Sequence, residues 1–188
     1  LTHVTDFVRQ LHMESLGKKT KIDGSPVNVN TGNVIWGGSG SDGQHSYFQL
    51  LHQGSYKIPI DFIVDAGFSD DQMDTYSLAN CLAQSESLMT GMQEADPEKS
   101  IDGDKPNNVI LVNKLSPQSI GQLVSLYEHK VFVQSVIYGI NAFDQYGVEL
   151  GKKIAQSLSK VISKSSRYTG KNPSTRALLL KIKEYKKG

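Results

Sequence analysis

An α/β layered sandwich around a small parallel sheet is the fold class this sequence predicts, and three observations predict it. The near-continuous apolar runs Ile58–Val64 and Val109–Val112 have the composition of strands buried on both faces of a parallel sheet. Segments of helical periodicity alternate with them, as parallel pairing requires, because the chain must cross over between strands. No internal repeat or low-complexity tract interrupts that alternation. About three core strands are expected, few for an independent sheet.

Each element follows from local pattern. Val4, Phe7, Val8 and Leu11 recur at helical spacing and Gly17 supplies a stop, so Glu14 falls in the last turn of a first helix. Ile22-Asp23-Gly24-Ser25 before Val27-Asn28-Val29 reads as a hairpin, because Asp-Gly tolerates the positive φ of tight turns. Val34-Ile35-Trp36 is a short strand entering the glycine-rich stretch Gly37–Gly43, and a helix over 44–53 follows. Residues 70–92 are helical; 93–107, with Pro97, Gly103 and Pro106, form a polar surface loop. Ser116 caps a long helix with Pro117 at its first position. That helix is apolar almost all round, through Ile120, Leu123, Leu126, Val131, Phe132 and Ile137, so it is deeply buried or lies at an interface. Asp144 caps a further helix, and Asn172-Pro173 opens the last. One domain is expected over 1–188, ending in a helical tail over about 144–188. The chain begins at Leu1, without methionine and inside a helical pattern, which suggests a part of something longer.

Composition excludes several classes of function. Lys and Arg number 20 against 19 Asp and Glu, so no general field draws in nucleic acid or a membrane surface. Arg176, Lys181, Lys183, Lys186 and Lys187 crowd the last helix and read as a solvated face. No apolar stretch spans a bilayer. The lone Cys81 forms no internal disulfide and suits a reducing cytoplasm; its spacing with Leu78, Leu82, Leu88 and Met92 makes it a buried, inert thiol. His3, His12, His45, His52 and His129 are scattered and show no metal-ligand spacing.

Parallel sheets place ligands at the carboxyl ends of their strands, here the Gly37–Gly43 loop and Asp65-Ala66-Gly67. Gly38 to Gly43 matches the G-x-G-x-x-G dinucleotide fingerprint, with Asp65 about twenty residues on. The alternative function is therefore a non-catalytic binding module for NAD or a sugar phosphate. Asp42 argues against NAD, since it brings negative charge to the place of the pyrophosphate.

Three segments decide between these readings. Met13-Glu14-Ser15-Leu16-Gly17-Lys18 is similar to the Met-Glu-Ser-Asn-Gly-Lys stretch of glucose-6-phosphate isomerases. The run from Asp42-Gly43-Gln44-His45 to His52-Gln53-Gly54 resembles that family's Asn-Gly-Gln-His helix. The run from Gly121 through Leu126-Tyr127-Glu128-His129-Lys130 to Phe143-Asp144-Gln145-Tyr146-Gly147-Val148-Glu149-Leu150-Gly151-Lys152 resembles its carboxyl-terminal signature. Leu16 stands in place of the usual Asn, Tyr138-Gly139 in place of Trp-Asp, and Tyr146 in place of Trp. Gly37–Ser41 also differs from the usual Gly-Glu-Pro-Gly-Thr.

The resemblance implies an aldose–ketose isomerase acting on glucose 6-phosphate and fructose 6-phosphate without a cofactor. It assigns the proton shuttle to Glu14, ring opening to His45 with Lys152, and substrate binding to Gln10 and Gln145. It implies a homodimer, with the histidine reaching into the neighbouring subunit's site. It also implies that an amino-terminal half, absent here, supplies a Ser/Thr-rich phosphate grip and an arginine beside the enediolate. The residues suit these tasks. Gln10 and Glu14, four apart, share a helix face. Glu14 faces the negative end of the helix dipole, which disfavours its ionised form. His45 is expected near a helix start, where the dipole favours neutral imidazole. Gln145, Glu149 and Lys152 are expected on one face of the next helix. Glu128-His129-Lys130, a charged triplet in an apolar helix, suits an interface or a buried network better than catalysis.

Overall fold

Strands β1 (Ile60–Asp65) and β2 (Asn107–Val112) pair in parallel, from Ile60 opposite Asn107 to Asp65 opposite Val112. They belong to a computed structural model that describes residues 1, 3–67, 72–163 and 166–186. Element order is α1 (Val4–Leu16), α2 (Gly40–Gln44), α3 (Phe48–Gln53), β1, α4 (Gln72–Thr90), β2, α5 (Pro117–Tyr138), α6 (Glu149–Ile162) and α7 (Pro173–Tyr185). The α/β class and the small parallel sheet are as the sequence predicts. Two compact units divide the chain, Leu1–Phe143 and Asp144–Gly188.

In the first unit α4 packs on both strands and α1 packs on α5. Two apolar clusters hold these layers. Leu16, Val131 and Ile140 are almost wholly buried beside Leu11, Val27 and Tyr138, and fix the end of α1 to the end of α5. Phe48, Leu51 and Leu88 pack with Ile58, Ile60 and Phe62, and fix α3 and α4 to β1. Each such side chain contributes about 1.5–3 kcal/mol by leaving water.

Helix α5 begins and ends as its residues dictate. Ser116 Oγ accepts from the Ser119 N–H at 3.1 Å, and Ser119 Oγ accepts from the Ser116 N–H at 2.9 Å. Pro117 follows the cap, and Gly139 closes the helix with φ +69°. Its buried stripe is Leu123, Tyr127, Val131 and Ser135, four residues apart. Leu126, Phe132, Val133, Val136 and Ile137 stand exposed on its other sides.

Five local expectations are corrected. Val34–Trp36 is no strand: with no neighbour to complete a ladder, Val34 stays exposed and Trp36 packs edge-on against Tyr47, centroids 4.7 Å apart. Among the described residues the sheet accordingly has two strands. The hairpin over 22–29 shrinks to a turn with one antiparallel bridge, Thr20 to Pro26, around Gly24 at φ +84°. The helix over 44–53 is broken at 45–47, where Ser46 Oγ donates to the Asp42 carbonyl at 2.8 Å and Tyr47 folds over Gly43. Asp144 does not cap α6; a 3₁₀ turn, Tyr146–Val148, intervenes, and Val148 precedes the helix. Among the residues of α4 whose side chains are described, Ser85 and Leu88 are buried; Leu82 is half exposed, Met92 lies beyond the helix, and Cys81 is partly buried. The first two residues of the helix expected over 70–92 lie outside the described residues, as does Lys187.

In the second unit Asn172 caps α7, its side chain accepting from the Thr175 N–H at 2.9 Å, with Pro173 next. Arg176, Lys181, Lys183 and Lys186 are exposed, the solvated face expected. On α6, Leu150, Ile154, Leu158 and Val161 follow helical spacing, and Lys152 lies on the opposite side.

Candidate active site

Gln10 and Glu14 sit one turn apart on α1, Glu14 in its last turn and half-buried, Gln10 exposed. Opposite them, His12 is buried against α5. Burial, the largest influence, holds its imidazole below the ordinary value; Lys130 adds to this, while Gln134 and the Asn33 backbone oppose it. The Gln134 approach lacks hydrogen-bond geometry, since neither His12 Nδ1 nor Gln134 Oε1 has a partner. The chain turns sharply beyond α1. Gly32, at φ +64°, crosses so close to Gly17 that a Cβ there would stand 2.5 Å from the Gly17 Cα. Lys18 folds its ammonium back under the helix end, 3.2 Å from the Glu14 carbonyl and 2.9 Å from that of Ser15.

His45 occupies the break between α2 and α3 and is exposed. It is the residue after α2, not the start of a long helix, so the dipole argument from a helix N-terminus does not apply to it. The same geometry weakens the dinucleotide reading. α2 has only five residues and carries Asp42 in its first turn, so it offers a pyrophosphate little positive field. Lys152 lies exposed on the first turns of α6 with Glu149 beside it. Gln145 falls outside that helix, ahead of the 3₁₀ turn, so the shared face expected of it reduces to Glu149 and Lys152. Gln10, Glu14 and His45 thus belong to the first unit, Gln145 and Lys152 to the second. Among the described residues, the side chains of Glu14, His45 and Lys152 make no hydrogen bond or ion pair. Three proton-transfer groups are therefore uncommitted.

Other polar clusters are bonded chiefly among themselves, although the buried His52 Nδ1 has no partner. A groove of about 600 Å³ runs past Gln44, Phe48, His52, Asn80 and Gln84. Its amides bond one another: His52 Nε2 pairs with Gln84 Oε1 at 2.8 Å, and Gln44 Nε2 donates to Asn80 Oδ1 at 3.3 Å. On β1, Asp61 gathers Asn108, Tyr127 and Lys130, so the Lys130 of the charged triplet serves a structural network. His129 bonds within its own helix, Nδ1 2.7 Å from the Ser125 carbonyl. Among the described residues no group of three His, Cys, Asp or Glu could hold a metal ion, and no helix is long and apolar enough to cross a membrane.

The sequence profile of the phosphoglucose isomerase family matches residues 1–179, nearly the whole chain. The chain belongs to this family. Glucose-6-phosphate isomerase of Xanthomonas axonopodis pv. citri (strain 306) is 48% identical over 179 residues, covering 94% of this chain and 35% of the relative. That of Xanthomonas euvesicatoria pv. vesicatoria (strain 85-10) is 47% identical over 185 residues, 97% of this chain and 36% of the relative. The crystal structure of a glucose-6-phosphate isomerase from Chlamydia trachomatis D/UW-3/Cx superimposes with a TM-score of 0.82 at 33% identity, over 98% of this chain and 36% of that one. The chain thus spans about a third of the length of the phosphoglucose isomerases it matches. Lys18 has no role in the sequence reading, although a cation just past a helix end is a signal the sequence shows.

Proposed function

We propose that this chain is the carboxyl-terminal sugar-isomerase domain, with its helical tail over about 144–188, of an enzyme interconverting glucose 6-phosphate and fructose 6-phosphate. Family membership through residue 179, with three uncommitted proton-transfer groups, is the observation that carries the reading. His45 and Lys152 move one proton onto the ring oxygen and one off the anomeric hydroxyl, so the ring C–O bond breaks as the carbonyl forms. Glu14 takes the proton from C2 of the open aldose, giving a cis-enediol, and returns it to C1. A proton passes between the two oxygens, and the product is the ketose. Nothing is oxidised or reduced overall, so no cofactor is required. Gln10 and Gln145 hold substrate hydroxyls.

The rest of the enzyme, in this reading, grips the phosphate and places an arginine beside the enediolate. The working form is a cytoplasmic homodimer in which His45 serves the partner's site. Two features support that assembly: His45 is exposed without a partner, and α5 carries Phe132, Val133, Val136 and Ile137 uncovered. The test is Glu14→Gln in the full-length enzyme. This keeps the shape and removes the base, so isomerisation falls by about 10²–10⁴-fold or more. Near-normal turnover in that variant would refute the assignment.

A further inference from the structure

A lysine just beyond a helix end can turn back and donate to the last carbonyls, and Lys18 does so. Its Nζ lies 3.2 Å from the Glu14 carbonyl, 2.9 Å from the Ser15 carbonyl and 3.2 Å from the carbonyl of Asn141, beyond the end of α5. An ammonium has three protons to donate, and here three main-chain acceptors converge on it.

The need for such a donor follows from how α1 ends. The last four carbonyls of a helix lack intrahelical partners. Many helices satisfy some of them by turning the following glycine left-handed. Gly17 does not take that route: its φ is −72°, and its N–H bonds only the Met13 carbonyl at 3.0 Å. The Lys18 N–H takes the Leu16 carbonyl at 2.7 Å. The carbonyls of Glu14 and Ser15 are then met by the Lys18 ammonium. A cation in this position also complements the negative end of the helix dipole. The third bond ties the same ammonium to Asn141, two residues past the αL Gly139. Ile22 N–H donates to the Gly139 carbonyl at 2.8 Å, and the buried Leu16, Val131 and Ile140 lie in the same junction. Lys18 is held in turn, because Thr31 Oγ1 donates to its carbonyl.

We propose that Lys18 is a positioning residue for the isomerisation: it caps the last turn of α1 and so fixes the backbone that carries the Glu14 carboxylate. This rests on the reading of Glu14 as the proton shuttle. Glu14 stands two residues from the helix end, in the turn that frays first when its carbonyls lose their donor. A proton shuttle between adjacent carbons tolerates little displacement of the base, and about 1 Å of misplacement can cost roughly 10²-fold. The apolar cluster under Leu16 holds the helix as a whole, so removal of the ammonium loosens the last turn and leaves the fold.

The experiment uses the full-length enzyme with Lys18→Met, which keeps the stem and removes the charge, Lys18→Arg, Glu14→Gln, and the double variant Lys18→Met/Glu14→Gln. Lys18→Met lowers kcat by about 10- to 100-fold with KM nearly unchanged, Lys18→Arg recovers part of the loss, and amide exchange in the last turn of α1 quickens. Because Lys18 acts through Glu14, Lys18→Met adds nothing in the Glu14→Gln background. Normal kcat in Lys18→Met beside a dead Glu14→Gln would overturn this inference and leave the site reading intact. A Lys18→Met loss that multiplies with that of Glu14→Gln would overturn it too, because the lysine would then act elsewhere. An active Glu14→Gln enzyme would instead remove the site reading and this inference with it.

Discussion

Lys130 Nζ lies 3.1 Å from Asp61 Oδ2, joining the middle of α5 to the second residue of β1. The same carboxylate accepts from Asn108 Nδ2 at 2.8 Å and from the Tyr127 hydroxyl at 3.2 Å. Burial pushes the Asp61 carboxyl up, but the donors Asn108, Lys130 and Tyr127 outweigh it and hold it below the ordinary aspartate value. Burial, with Asp61 nearby, pushes the Tyr127 phenol well above its ordinary value. Sheet and helix are thus tied by one carboxylate with three donors.

The first prediction concerns that tie. Asp61→Ala strands a buried hydroxyl and an ammonium, and destabilises the intact enzyme by about 1–3 kcal/mol, the lower end being expected because Lys130 is 45% exposed. The stabilisation by Asp61 is fully present above the unfolded value, about pH 3.9, and fades as pH falls through the lower native value. Urea melts at pH 7 and near pH 3 test this: the difference between native and Asp61→Ala enzyme should shrink at the lower pH. An equal difference at both would show that the carboxylate charge has no part in it.

Gly32 and Gly24 give a second prediction, as a matched pair. Both have positive φ, +64° and +84°, yet a Cβ at Gly32 meets the Gly17 backbone at 2.5 Å while one at Gly24 meets nothing within 4 Å. Alanine at Gly24 therefore carries only the left-handed strain, about 1–2 kcal/mol. Alanine at Gly32 carries the strain and a backbone collision beside the end of α1, a further 1–3 kcal/mol or so. Denaturant midpoints for the two variants should differ in that order; equal shifts would mean that the crossing of Gly32 over Gly17 is not tight.

What the sequence made legible was whatever is decided locally. Ser116, Pro117 and Gly139 bound α5 without help from any distant residue. Ile60–Asp65 and Asn107–Val112 are apolar enough to be strands wherever they pair. Several misses required a distant or competing partner. Val34–Trp36 has strand composition but no neighbouring strand, and Trp36 is taken by Tyr47. The helix over 44–53 fails because the Ser46 hydroxyl competes for the Asp42 carbonyl, which no periodicity count can weigh. At the site, residue order placed Gln10 and Glu14 on one face of α1 correctly. It misplaced Gln145, because the turn Tyr146–Val148 separates that residue from α6. Of the three carbonyls around Lys18, the one from Asn141 is distant in the chain and was invisible to local pattern.

The proposed division of labour between His45 and Glu14 yields a third prediction. Ring opening precedes proton transfer between carbons, so a residue that only opens the ring is dispensable for an open-chain substrate. In the full-length enzyme His45→Ala should slow the closed-ring sugar phosphate far more than an open-chain analogue, by about 10²-fold if a general acid is lost. Equal slowing of both would remove His45 from ring opening.

The glycine stretch supplies a fourth prediction. Despite its fingerprint, 38–43 opens a helix of five residues with Asp42 in the first turn. Neither the dipole nor the charge there favours a pyrophosphate. Calorimetric titration with NAD(H) to millimolar concentration should give no saturable heat. A site with Kd of roughly 10 μM or tighter would revive the binding-module alternative.

The last prediction is that these 188 residues, assayed alone, catalyse no measurable isomerisation. They supply Glu14, His45 and Lys152, but span 35% of a matched glucose-6-phosphate isomerase. In the proposed mechanism the phosphate grip and the enediolate cation come from the rest of the enzyme. A phosphate anchor brings the reacting carbons to the base, and positioning of that kind accounts for as much as roughly 7–11 kcal/mol of a barrier. A cation beside the enediolate resembles one oxyanion donor, whose loss raises a barrier by about 2.7–4 kcal/mol. Even half of each loss together slows the reaction by several orders of magnitude, since about 1.4 kcal/mol is tenfold. The uncovered Phe132, Val133, Val136 and Ile137 of α5 should also make the isolated chain self-associate, and Ile137→Glu should reduce that association. A coupled assay following fructose 6-phosphate formation decides the main point. Turnover within about tenfold of an intact isomerase, abolished by Glu14→Gln, would show that this chain holds a complete site and that the proposed contribution of the remaining two thirds is wrong.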